Sequence, residues 1–153
     1  MTKFHLRRAG AGRRLSVPDA LVTVLSSGDH TGGAYEVMLV DAPRGTPPPL
    51  HTEPWAKTYH LLRGRILVQL DGDGCELPPG DSLTVPAGTK NTFSVLTDRA
   101  VLLLVCAGSA MSGFFARVDA VLHEQHSPAD IALLLPQVAD RFDIRFAPGT
   151  VSP

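Results

Sequence analysis

An imidazole, a carboxylate and an amine stand close together in this chain, at His51, Glu53 and Lys57. Side chains of these three types can move protons: a carboxylate orients or charges the imidazole, and an ammonium stabilises a developing enolate or phenolate. Lys57 also admits a narrower chemistry, a Schiff base to a carbonyl substrate, which needs an amine whose pKa burial has lowered. Glu53 works against that lowering. Other candidates are poorer. Cys75 and Cys106 form neither a CxxC pair nor a zinc spacing. Cys106 has no evident cation or helix start to activate it and is expected to be an inert buried thiol. His123 and His126 bracket HEQH, which is not HExxH and adjoins a turn-like SPAD, so they are expected on the surface.

The elements that must position these groups read as an all-β domain. Short aliphatic or β-branched runs alternate with Gly, Pro and Asp turns: Leu21 to Leu25, Ala34 to Val40, Lys57 to Leu62, Arg65 to Leu70, Ser82 to Val85, Thr92 to Leu96 and Val101 to Cys106. Arg63-Gly64 reads as a tight hairpin, and Asp71-Gly72-Asp73-Gly74 as a strong turn. With no long helix between the runs, a sandwich or barrel is expected rather than βαβ units. The tail differs. Ser127-Pro128-Ala129-Asp130 carries the signals of a helix start, and Ile131, Leu134, Leu135 and Val138 then share one apolar face. Pro136 is expected to kink or shorten that helix. A second short helix is expected near Met111 to Val118. The chain thus divides into an N-terminal arm (1–20), a barrel core (21–107) and a C-terminal helical extension packed on the barrel (108–153).

Two stretches resemble the paired signatures of the cupin superfamily. Gly45 is followed after five residues by His51; Glu53 and Lys57 come next, and Gly64 lies six residues beyond Lys57. The second stretch runs from Gly80 through Pro86-Ala87-Gly88 to Asn91 and Val95. The tail, with GFFARV and FDIRFAPG, is similar to single-domain quercetin-dioxygenase-like cupins. The resemblance implies an all-β, double-stranded β-helix barrel of two antiparallel sheets around a ligand cavity. It also implies a homodimer formed by sheet packing.

The same resemblance places Glu53, Lys57 and Asn91 where cupins that bind metals carry His, Glu and His, and Val95 where they carry Asn. Only His51 keeps the family's ligand. An ammonium in place of a carboxylate removes a negative ligand and adds a positive charge, so no metal or other cofactor is expected. If a metal is held, His51 and Glu53 are its ligands. In a cupin, His51, Glu53, Lys57 and Asn91 converge on one end of the cavity, and a Lys57–Glu53 ion pair with His51 bonded nearby meets the cost of burying them. Tyr59 and Phe93 share their inward parity and, with Trp55 from the intervening loop, are expected to give the cavity aromatic walls. Substrate contacts are therefore expected from Trp55, Tyr59, Asn91 and Phe93. His60 falls on the opposite face of Lys57's strand.

These residues support a metal-independent enzyme that isomerises, cyclises, dehydrates or decarboxylates an apolar carbonyl- or phenol-bearing small molecule. The alternatives are a non-catalytic binding or scaffold cupin and a metal-dependent, quercetinase-like dioxygenase. The bulk composition fits a globular domain, with 44% hydrophobic and 19% charged residues. A net charge of -1 gives no general attraction to nucleic acid or membranes. Arg7, Arg8, Arg13 and Arg14 form the one basic cluster and are expected in a solvated arm. The start MTKFHLRRAG lacks the apolar core of a signal peptide, and a cytoplasmic protein with reduced thiols is expected.

Overall fold

The computed structural model describes residues 3–147. The end of the expected C-terminal extension, including Pro148-Gly149 of its last motif, lies outside the described residues.

Alternation of buried and exposed side chains organises the strands. In β3 (Tyr35–Pro43), Glu36, Met38, Val40 and Ala42 are buried, and in β10 (Arg99–Ala107) Ala100, Leu102, Leu104 and Cys106 are buried. The intervening residues face outward, as the period of two in a pleated strand requires. β3 and β10 pair antiparallel over their whole length, from Arg99↔Pro43 to Ala107↔Tyr35. β1 (Arg13–Val17), β2 (Ala20–Ser26), β5 (Lys57–Arg63) and β8 (Ser82–Val85) complete a six-stranded sheet in the order β1-β2-β3-β10-β5-β8. The second sheet runs β11-β4-β9-β6-β7, from β4 (His51–Thr52), β6 (Ile66–Leu70), β7 (Gly74–Leu77), β9 (Asn91–Val95) and β11 (Arg145–Phe146). Among the described residues, every strand pairing is antiparallel. The inner faces meet in one core that includes Met38, Leu61, Ile66, Val68 and Leu102.

Two expectations need correction. Arg63-Gly64 does not close a hairpin: β5 pairs with β8 and β10, whereas β6 pairs with β7 and β9. The chain crosses between sheets there, which sets Leu61 and Ile66 on inner faces that belong to different sheets. Gly64 permits the crossing. Its φ is 77°, and a Cβ would collide with the Arg99 carbonyl oxygen. The second correction concerns the N-terminal arm. Arg13 and Arg14 begin β1, an edge strand whose register runs from Arg13↔Val24 to Val17↔Ala20. Leu15 is buried between outward-facing neighbours, so the arginine-rich sequence concealed a strand with one strong core anchor.

α1 (Gly28–Thr31) is a single turn, while α2 (Met111–His123) and α3 (Pro128–Arg141) form the C-terminal helices. Ser127 caps α3: its Oγ accepts from Asp130 N at 3.1 Å, and the Asp130 carboxylate accepts from Ser127 N at 3.3 Å. The helix runs through Pro136 to Arg141 rather than stopping there, because burial of Val138 and Ala139 beyond the proline offsets the lost backbone bond. Ile131, Leu134 and Leu135 pack with Val138 against Val118 and Val121 of α2. Asp119 of α2 ties this layer to the barrel by accepting from Ser16 N of β1 at 2.6 Å. Glu36, also buried, accepts from Gly28 N, Ser112 N and Ser112 Oγ, and so binds α1 and the start of α2 to β3. Among the described residues, no helix is long and apolar enough to cross a membrane.

Candidate functional site

β4 and β5 deliver the candidate acid–base groups. Glu53, Trp55, Lys57, Tyr59 and Leu61 are all buried at a period of two, so this stretch sends every second side chain inward. His51 at the start of β4 pairs with Asn91 of β9 and, across the other edge, with Phe146 of β11. These strands converge on a cavity of about 690 Å³ between the sheets and the C-terminal helices. His51, Glu53, Lys57, Tyr59 and Phe93 all line it.

Glu53 is the hub. Its Oε1 accepts from Lys57 Nζ and lies 2.9 Å from His51 Nε2. Burial alone would raise the Glu53 pKa, but the hydrogen bond from His51 and the charge of Lys57 outweigh it and hold the carboxyl at about 2. Burial likewise opposes the charge on Lys57, yet the neighbouring Tyr59 oxygen and Glu53 carboxylate raise its pKa above the usual amine value. Lys57 is therefore an ammonium, and a Schiff base at this nitrogen is disfavoured. His51 Nδ1 lies 2.9 Å from the Pro49 carbonyl oxygen. Both ring nitrogens thus face oxygens, and these two contacts fix the orientation of the ring. The remaining oxygen, Glu53 Oε2, is buried with no hydrogen-bond partner.

Asn91 and Trp55 are placed differently from the sequence expectation, since neither lines the cavity. Asn91 is a strut. Its Oδ1 accepts from Tyr59 OH at 3.3 Å, and its Nδ2 donates to the Thr89 and His51 carbonyls at 2.9 and 3.4 Å. That network occupies its amide and fixes the strand that carries it against His51. Burial pushes the Tyr59 pKa up and keeps the hydroxyl a donor. Trp55 belongs to the core cluster, with its Nε1 buried and unpartnered. The outward parity of His60 is as expected, with Nδ1 2.6 Å from Ser82 Oγ. His123 and His126 bond to Asp119 and Glu124 near the surface. Cys106 is fully buried and its thiol is pushed up to about 12, chiefly by desolvation, which makes it a poor nucleophile.

Sequence reasoning missed a whole wall. Met111, Phe114, Phe115 and Val118 of α2, Leu135 and Ala139 of α3, and Ile144 and Phe146 beyond it also line the cavity. Phe146 packs edge-on against His51 with ring centroids 6.2 Å apart. The consecutive Phe114-Phe115 pair, too wide for a single helix stripe, was the available signal. Asp19, in the turn between β1 and β2, lines the cavity as well. No local sequence feature marks it.

This arrangement defines a double-stranded β-helix with an apolar cavity and a charged end. Comparison with known proteins agrees. A profile for the cupin domain matches residues 38–107. The quercetin 2,3-dioxygenase of Bacillus subtilis (strain 168) is 29% identical, with the match covering 81% of this chain and 37% of that protein. The chain thus spans well under half the length of that relative. Among solved structures, an RmlC-like cupin from Shewanella frigidimarina superposes with a TM-score of 0.64 at 14% identity, covering 72% of this chain and 96% of that one. KdgF from a Halomonas species gives 0.60 at 17% identity, with coverages of 69% and 94%. Residues 38–107 thus match a cupin domain, and the fold around them is that of small cupins.

A metal centre, which the family pattern implies, does not fit these residues. Among the described residues, no group of three or more His, Cys, Asp or Glu side chains is placed to hold an ion. His51 and Glu53 do meet, but the Lys57 ammonium already sits on the carboxylate oxygen they share. Asn91 is committed to Tyr59 and to backbone carbonyls. A divalent cation here would face a fixed positive charge at close range.

Proposed function

We propose that this cupin is an enzyme that acts by acid–base chemistry, without a metal, on an apolar small molecule bearing a carbonyl or phenol group. One observation carries the reading: His51, Glu53 and Lys57 meet in one hydrogen-bonded cluster in the wall of an otherwise apolar cavity. His51 takes the proton of an activated C–H or O–H and returns it at a second substrate atom, while the Glu53 carboxylate bonded to its Nε2 orients the ring and balances its charge. Lys57 offsets the negative charge that develops in between. Proton removal and return balance, so the sequence suits an isomerisation, and the same groups serve cyclisation, dehydration or decarboxylation.

The test is turnover of a panel of carbonyl- and hydroxy-substituted aromatic compounds by the unmodified protein and by His51→Ala, Glu53→Gln and Lys57→Met. His51→Ala is expected to lower turnover roughly a hundredfold, the usual scale for a general acid–base group. If all three variants keep full turnover, the site is structural and the protein is a binding or scaffold cupin.

The activity of the Bacillus relative favours a second reading, a metal-dependent dioxygenase. The ammonium on Glu53 weighs against it. A homodimer is part of the proposal. Tyr35, Leu62 and Val105 expose apolar side chains on the outer face of the six-stranded sheet, a surface suited to a second copy.

A further inference from the structure

Strand register tells the two ends of the cavity apart. His51 pairs with Asn91 and Lys57 with Cys106, so the acid–base cluster sits where β9 begins and β10 ends. Val95 closes β9, and Ala42 pairs with Ala100 near the start of β10. Val95 and Ala42 line the cavity too. Four residues along β9 separate Asn91 from Val95, about 13 Å at the usual rise of a strand. Arg44 stands at this far end. It follows β3 of the six-stranded sheet, and its Nη2 donates to the Leu96 carbonyl just beyond β9 of the other sheet. Its backbone N–H donates to the Asp98 carbonyl at 3.0 Å. The side chain thus reaches from one sheet to the other, exposed to solvent and lining the cavity.

The charges around the cavity are unequally matched. Asp19, Arg44, His51, Glu53 and Lys57 line it. Lys57 is paired with Glu53, and His51 shares that carboxylate. Among the described residues Arg44 makes no ion pair, and its side-chain bond to a single carbonyl leaves most of the guanidinium donors unused. Asp19 does not pair with it, and burial, the largest influence on Asp19, raises its pKa and so disfavours its negative charge.

We infer that Arg44 anchors a carboxylate, so that the cavity takes an elongated aromatic acid with its anion at Arg44 and its carbonyl or phenol group at the opposite end beside His51. This deepens the acid–base reading above and rests on it for the place of the reacting group, though not for the anchoring. A guanidinium presents a planar fork of donors that matches a carboxylate. Phe93, midway along β9, and Phe114 and Phe115 of α2 line the same cavity, which suits flat rings. Arg44 is thereby a specificity-determining residue, acting on binding and not on proton transfer.

Calorimetric titration at neutral pH with 6-hydroxy-2-naphthoate and its methyl ester tests the anchor, since the two differ in charge at one end only. In the unmodified protein the acid is expected to bind about tenfold more tightly than the ester, the scale of one hydrogen bond between charged groups. Arg44→Gln keeps a donor for the Leu96 carbonyl and should cut that preference to under about twofold, with ester affinity unchanged. Arg44→Lys, which keeps the charge without the fork, should hold about threefold. An ester that binds the unmodified protein as tightly as the acid overturns the inference, and this arm needs no variant to fold. So does an undiminished preference in Arg44→Gln, which would put the anion elsewhere, or failure of both probes to bind at millimolar concentration. Binding is read without turnover, so a lost preference leaves the acid–base reading standing. Full turnover in the His51, Glu53 and Lys57 variants would defeat that reading and leave the anchor in place.

Discussion

Lys57 and Glu53 form an ion pair that is almost wholly shielded from water, with side-chain exposures of 4% and 2%. Two strands make this possible: Glu53 follows β4, Lys57 opens β5, and the alternation of buried positions between them turns both inward. The pair organises the polar end of an otherwise apolar cavity. Losing one member leaves the other charged and unpaired in a low-dielectric setting, which is worse than losing both.

Lys57→Met should therefore destabilise the fold by about 3–5 kcal/mol, the usual effect of stranding a buried charge. The double variant Lys57→Met/Glu53→Gln should recover a large part of that loss. Denaturant titration of the three proteins measures both, and a double variant no more stable than Lys57→Met would show that the pair is not energetically coupled.

Acid should reveal the same carboxylate. Glu53 titrates at about 2 in the folded protein, below its ordinary value of 4.5, so the unfolded chain binds the proton more readily. Its contribution to stability is present above the ordinary value and is lost as pH falls towards 2. Melting temperature should drop through this window in the unmodified protein. The drop should be shallower in the double variant, measured alongside as the control.

Metal content follows from the ammonium. The purified protein should hold well under one equivalent of transition metal by elemental analysis, and Lys57→Glu should raise its affinity for added Ni or Fe by turning a repelling cation into a ligand. Near-stoichiometric metal in the unmodified protein, lost in His51→Ala, would favour the dioxygenase reading.

The two thiols should separate by reactivity. Cys106 is buried with its thiol pushed up to about 12, whereas Cys75 is partly exposed. A thiol-specific chromogenic reagent at pH 8 should titrate Cys75 in the native protein and reach Cys106 only in denaturant. Rapid native reaction of both would mean that the core around Cys106 opens readily.

Glu36 gives a structural prediction. Its buried carboxylate accepts three hydrogen bonds, two of them from Ser112 at the start of α2. Glu36→Ala strands the Gly28 and Ser112 donors and should cost about 3 kcal/mol or more. Faster amide exchange in α2 than in β10 should accompany the loss, because the helical layer is unhooked first.

The amino-acid sequence by itself determined most of the strands between Leu21 and Cys106, though not β4 or β7, together with the turn at Asp71 to Gly74, the start of α3 at Ser127, and the inward parity shared by Glu53, Lys57 and Tyr59. Each is a local property, set by side-chain alternation or by residues that fix φ, and neighbours in the chain carry it. Tertiary structure decided the rest. A turn signal at Gly64 specifies a change of direction but not which sheet receives the next strand; that depends on which inner faces fit together. Asn91 shares the inward register of a ligand-binding residue, yet the Tyr59 hydroxyl and the Thr89 carbonyl claim its amide. Asp19 and Phe146, far apart in the chain, line one cavity only because the β1–β2 turn and the pairing of β11 with β4 bring them there. Such contacts arise from the packing of whole elements, and no local pattern records them.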